Sequence, residues 1–257
     1  MNHSLYIIGQ LIIILLVFGL LSSLVFGLRF AFARMHMKLE KRKQFIGYIL
    51  AGCLFWLSIL TFLSFSGFFQ NFESFPPRVV YAFVPPLLII VVLLFSRFFA
   101  VILKAIPERW LIYIQAFRIL MELFLWMGYH GGYIPLQMTF EWLNYDIIVG
   151  ITALMAGYVF FGKGRFRWPE AILWNVFGIV LLVNIVLIAL LSAPTPFRVF
   201  LNEPSNTFVA QFPFIWIPGF IVPFALAMHL FSLKQIAMGR KRGISVTGRR
   251  EFGRKDN

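Results

Sequence analysis

The chain is poor in the residues from which most catalytic and metal sites are built. Its 257 residues include one cysteine, four histidines and ten acids. A lone cysteine, Cys53, excludes an internal disulfide framework and a cysteine-ligated metal centre. Neither a Gly-rich phosphate loop nor a nucleophile elbow occurs. Charged residues make up 13% of the chain, about half of the roughly 25% usual in soluble domains. No cofactor is expected from this inventory, and an enzyme is not the favoured reading.

What the chain does contain is apolar length. Hydrophobic residues are 60% and aromatics 18% of the total. Long apolar runs lie near 5–28, 45–69, 79–100, 109–129, 146–162, 170–192 and 213–237. About 20 apolar residues suffice to cross a bilayer as a helix. The expected fold is therefore an all-α integral membrane protein, a bundle of seven transmembrane helices in one domain, residues 1–238. A basic tail, 239–257, reads as disordered from its composition.

The net charge of +13 could suit nucleic acid, but its distribution is topological. Twenty of the 23 Lys and Arg fall in the segments after the first, third, fifth and seventh runs. Of the others, Arg78 and Arg198 lie on the opposite side and Arg118 lies within the fourth run. The positive-inside rule then predicts N-terminus out and C-terminus in. The first run carries its charges after the apolar stretch and is too long for a signal-peptide core, so it reads as an anchor. The expected partners are the lipid bilayer, with anionic lipid at the tail, and no nucleic acid. On this topology His3, His36, His130 and His229 cannot converge into the three-ligand set of a zinc hydrolase. Lys234 lies too near the cytoplasmic end of the last run for a mid-span Schiff base.

Polar groups inside apolar runs are costly and mark packing or function. Arg118 and Glu122 are four residues apart, hence on one helix face. They sit about 13 and 20 Å into the bilayer, counted from Arg109. The spacing predicts that they pair in the bundle interior. His229 reaches the depth of Arg118 and Asn184 that of Glu122, so these four residues form the expected buried network, with Asn175 lower.

The connections at 130–145 and 193–212 are too long for simple turns and predict an extracytoplasmic cap from the 4–5 and 6–7 loops. His130, Gln137, Glu141, Asn144, Asp146, Arg198, Glu203 and Asn206 gather there as a candidate ligand site. Asp146 also suits the N-terminus of the fifth span, and Arg198 with Glu203 can pair within one loop. Thr195-Pro196 predicts a short interfacial helix over 196–202. The third and seventh runs carry Pro85, Pro86, Pro218 and Pro223, which point to broken helices.

The runs FRILME (117–122), MTFEWLNYDIIVGITA (138–153), PTPFRVFLNEPSN (194–206) and FPFIWIPGFIVPFALAMHLFSLKQ (212–235) resemble a group of uncharacterised multi-spanning bacterial membrane proteins. The resemblance covers roughly the second half of the chain. It implies a bacterial inner-membrane, multi-pass location and no particular function. The residues themselves favour a carrier or binding protein for a small molecule or lipid, using a polar site in spans four to seven. A membrane-embedded enzyme at the outer leaflet is the alternative, with Glu141, Asp146, Glu203 or His130 as acid or base. A structural or sensory bundle without ligand is the third reading.

Overall fold

A chain this apolar can hide its peptide groups from lipid only in helices or closed barrels, and it takes the first course. The computed structural model describes residues 2–162 and 166–252, with side chains as far as Gly239. Nine α-helices follow in order among the described residues: α1 (His3–Arg34), α2 (Leu39–Phe65), α3 (Val80–Phe95), α4 (Arg97–Ala105), α5 (Glu108–Tyr113), α6 (Phe117–His130), α7 (Ile147–Phe161), α8 (Trp168–Ser192) and α9 (Val222–Phe252). No strand occurs among them. A single 3-10 turn joins α5 to α6, and a π-turn at Ile217–Ile221 leads into α9.

Five helical stretches are long and apolar enough to cross a membrane: His3–Arg34, Leu39–Phe65, Glu108–His130, Trp168–Ser192 and Ile217–Gly239. Their outward faces are apolar too: Leu15, Phe62, Val92, Met155 and Leu173 are each about 70% exposed. This is a multi-pass membrane protein. Two of the seven expected spans, the third and the fifth, are not among these five.

The third run is broken. α3 and α4 meet at an angle of 83° at Ser96. Ser96 ends one helix in extended conformation and caps the next, its hydroxyl accepting from the Phe99 N–H. The carbonyls orphaned at the end of α3 need donors. Lys234 of α9 supplies them, donating to Leu94 at 2.6 Å and to Leu93 and Ser96 at 3.4 Å. Its neighbour Gln235 does the same for Leu103 and Ile106 at the end of α4.

The fifth run is short. The 15 residues of α7 rise about 22 Å, less than the ~30 Å hydrocarbon thickness. A Cβ on Gly150 would touch the Ile119 backbone, so the two positions are level. That places Asp146 about 10 Å inside the bundle from His130. The loop before α7 folds back inward to that depth. Irregular backbone at such depth is tolerated where protein covers it, and Ile134, Gln137, Thr139 and Asn144 are fully buried.

The prolines of the last span leave a similar debt. Pro223 has no N–H for the Gly219 carbonyl four residues earlier. Trp56 of α2 donates its indole N–H to that carbonyl at 2.9 Å. The π-turn packs against α3, so the proline-bearing segments of the third and seventh runs adjoin.

The connections at 66–79, 131–146 and 193–216 share one end of the bundle and interlock. Gln137 accepts from Asn202 at 2.8 Å, Trp142 lies on Phe200, and Phe75 lies on Phe197. Burial of Tyr133 in this region, with Tyr6 beside it, pushes its phenol up to about 12. The expected helix over 196–202 does not form. Thr195 makes a local turn that accepts from the Phe197 N–H, and Arg198 folds the segment back on itself. At the other terminus α9 continues to Phe252, beyond the expected end near residue 237 and into the stretch read as disordered. Residues 253–257, and the side chains expected to meet anionic lipid, lie outside the described set.

Candidate functional site

Arg118 is the second residue of α6 and is 1% exposed. It does not pair with Glu122. Its Nε donates to Asp146 Oδ2 at 2.6 Å, and its Nη2 donates to Asp146 Oδ1, a two-pronged grip on one carboxylate. Arg before Glu is the weaker order at i,i+4, because helical side chains lean toward the N-terminus. The re-entrant loop brings Asp146 within reach instead. Asp146 occupies the N-cap position of α7, yet its side chain makes no capping bond. Glu122 is also 1% exposed.

His229 stands where depth counting put it, 3.0 Å from Arg118 Nη1 through Nε2. A guanidinium only donates, so Nε2 must accept and the ring is neutral with its proton on Nδ1. That proton points to Asn175 Oδ1 at 3.0 Å, and Asn175 Nδ2 donates to Ser232 and to the Ala171 carbonyl. Arg118 Nη1 also faces the Gly178 carbonyl at 3.5 Å. Gly178 has no room for a side chain, because a Cβ would lie 2.3 Å from the His229 ring. Gly150 and Gly178 thus let α7 and α8 close on Arg118 from two sides. Sequence reasoning passed over both, although an isolated glycine within an apolar helical run signals such an approach.

Glu122 has a different partner. Asn144 Nδ2 lies 2.8 and 2.7 Å from its two oxygens and 2.9 Å from the Met138 carbonyl. Asn144 Oδ1 accepts the Asp146 N–H at 3.0 Å, which fixes the orientation of the amide. One side chain of the inward loop therefore serves the carboxylate and positions Asp146.

The remaining candidates disperse. Asn184 of α8 donates to the Leu143 carbonyl and takes no part in the arginine cluster. Gln137 bridges Ser192 and Asn202 within the cap. His130 and Glu141 are 4.0 Å apart, half exposed, and Trp126 donates to Glu141. Arg198 and Glu203 pair at 3.0 Å as the loop spacing suggested. Hydrogen bonds from Arg198 and the Ser205 N–H hold the Glu203 carboxyl below the usual carboxylate range.

A cavity of ≈ 220 Å³ connects the two regions. Its walls are almost wholly apolar, from Val80 and Phe83 of α3, Met121 and Leu125 of α6, Leu182, Ile185 and Val186 of α8, and Ile221. Arg118, Glu122 and Asp146 line it at depth, and Asn206 and Thr195 line it from the cap. α3, which packs on α9 and the π-turn, and α8 both contribute to its wall.

No curated protein and no solved structure matches the chain significantly. One family does match, described as a domain of unknown function, DUF8737, over residues 75–237. That range includes all four sequence runs that carried the resemblance, the whole arginine cluster and nearly the entire cavity wall. With more than half of its length matched, the chain belongs to the DUF8737 family.

Proposed function

We propose that the protein binds, or carries across a membrane, a small amphipathic molecule or lipid in the cavity between α3, α6, α8 and α9. The observation that carries this reading is an apolar cavity ending on three buried ionisable side chains, Arg118, Glu122 and Asp146. Interiors normally pack to crystal-like density, and a structural bundle gains nothing from an apolar void beside charges. An apolar ligand entering from the bilayer would pass between α3 and α8, which both line the cavity. Acid–base catalysis at the outer leaflet is less well supported. His130–Glu141, Arg198–Glu203 and the buried Asp146 occupy three separate places. The same reading keeps seven crossings and the N-terminus outside, on the strength of the one-sided basic residues, and a bacterial inner membrane, on the strength of the sequence resemblance.

Native mass spectrometry of the protein released from lipid nanodiscs tests the binding. The unaltered protein should retain a defined small molecule or lipid. Ala189→Trp, which fills the cavity wall without touching Arg118 or Glu122, should lose it. A protein that retains nothing, and that no added amphiphile stabilises, would overturn the proposal.

A further inference from the structure

The cavity's polar end is short of donors, and this identifies the chemistry of its occupant. Arg118 has four of its five N–H donors engaged, with Nε and Nη2 on Asp146 and Nη1 on His229 and the Gly178 carbonyl. An anionic head group would meet a guanidinium whose charge Asp146 already balances. Glu122 is the reverse case. Among the described residues it forms no salt bridge. Its two oxygens share a single amide group, since the other proton of Asn144 Nδ2 is taken by the Met138 carbonyl. A carboxylate offers about four acceptor sites, so most of its capacity is unmet.

A second group in the same cavity points the same way. Asn206 is 2% exposed, and its Oδ1 is buried without a hydrogen-bond partner. Its Nδ2 donates to the Ala189 carbonyl at 2.8 Å, so the oxygen cannot exchange places with the nitrogen without losing that bond. Both unmet groups are acceptors. The charges agree: Arg118 and Asp146 cancel, His229 is neutral by the tautomer argument above, and Glu122 is the acid left without a cation among them. A buried charge without a partner is unfavourable, and a ligand cation would relieve it.

We infer that the ligand carries a primary ammonium group on an apolar tail, with the ammonium on Glu122 and the tail along Leu182, Ile185 and Val80. This rests on the proposed cavity binding. An ammonium has three donors and no acceptor, which suits the open acceptor sites of the Glu122 carboxyl. The ammonium can belong to a free long-chain amine or to a lipid head group.

Thermal unfolding in phosphatidylcholine nanodiscs tests the inference, because a ligand that binds only the folded state raises the midpoint. Dodecylamine, dodecanol and dodecanoate share a tail and differ in head group. Dodecylamine should bind about tenfold or more tightly than dodecanol, as a charge-assisted hydrogen bond should exceed a neutral one. Glu122→Gln keeps an acceptor for Asn144 and should erase that preference, bringing dodecylamine down to the affinity of dodecanol. The ranking of head groups is read on the unaltered protein, so it stands even if Glu122→Gln fails to fold. Equal binding of amine and alcohol, or tighter binding of dodecanoate, overturns the ammonium and leaves the cavity reading intact. Absence of any shift with all three overturns the cavity reading itself. Including phosphatidylethanolamine in the nanodisc separates the sources: competition with dodecylamine assigns the site to a lipid head group, and its failure to compete assigns it to a free amine.

Discussion

Two arginines in this protein hold a carboxylate, and they do so in opposite settings. Arg118 and Asp146 are 28 residues apart, and their side chains are 1% and 6% exposed. Arg198 and Glu203 are five apart in one loop, and theirs are 17% and 69% exposed. Local spacing named the second pair and misnamed the first. In a surface loop a partner must come from nearby chain, because little else is within reach. In a bundle interior every helix offers candidates, and the desolvation cost of an unpaired charge selects the best geometry rather than the nearest residue. Two parallel hydrogen bonds to Asp146 are such a geometry, and an i,i+4 glutamate in the unfavourable order is not.

The largest expected effect follows from that contrast. Arg118→Leu and Asp146→Leu should each destabilise the protein by about 3–5 kcal/mol, because each strands a buried charge. The double variant should recover much of the loss. Glu122→Leu combined with Arg118→Leu should recover little. Arg198→Leu, in a pair whose Glu203 side chain is exposed and screened, should shift stability by about 1 kcal/mol or less. Unfolding midpoints of the five variants in one detergent decide the matter. Recovery with Glu122 instead of Asp146 would restore the i,i+4 pairing and break the comparison.

Gly178 gives the next effect. Gly178→Ala forces a methyl against the His229 ring, and overpacking of this kind costs about 1–3 kcal/mol. It should also shift the His229 ring resonances, since the ring must move from Arg118. Gly19 and Gly47, on α1 and α2, face open space, with nothing within 4 Å of where a Cβ would stand. Alanine at either should leave stability unchanged or raise it by up to about 1 kcal/mol. A tolerated Gly178→Ala with an unmoved ring would mean that α8 does not approach α9 as closely as described.

Smaller again is the junction of the cap. Gln137 and Asn202 join its two loops through one hydrogen bond. A double-mutant cycle with alanine at both should give a coupling of about 1 kcal/mol. Additive single effects would mean that the loops touch without supporting each other.

The sequence made the membrane class legible through run length and one-sided basic residues. It made the interior face of Arg118 and Glu122 legible through helix periodicity, and the meeting of Arg118 with His229 through depth counting from the same edge. It hid Asp146 and Asn144, because depth counting assumes that a loop stays outside, and the loop before α7 turns in. One signal was present: residues 146–162 rise only about 24 Å as a helix, short of the ~30 Å needed. The break at Ser96 was hidden for a related reason. Hydropathy sums over a bend, and only a serine able to cap the following helix marked it.

The smallest effect belongs to the exposed pair. Glu203 accepts from Arg198 and from the Ser205 N–H, which keeps its carboxyl below the usual value of 4.5. A lowered folded-state value means that its contribution is complete above pH 4.5 and fades as the pH falls through the lower folded value. Arg198 also donates to the Phe200 carbonyl, and Phe200 lies on Trp142. Protonating Glu203 should therefore loosen Phe200 from Trp142 and change the Trp142 fluorescence only below about pH 4.5. The change is best read with the other tryptophans replaced by phenylalanine where folding allows. Glu203→Gln should show the loosened signal at neutral pH and no further acid step. Added salt should weaken the exposed pair and leave Arg118–Asp146 unaffected, since screening acts on solvated charges far more than on buried ones. An acid step that persists unchanged in Glu203→Gln would assign it to another group and leave the exposed pair without a measurable part in holding the loop.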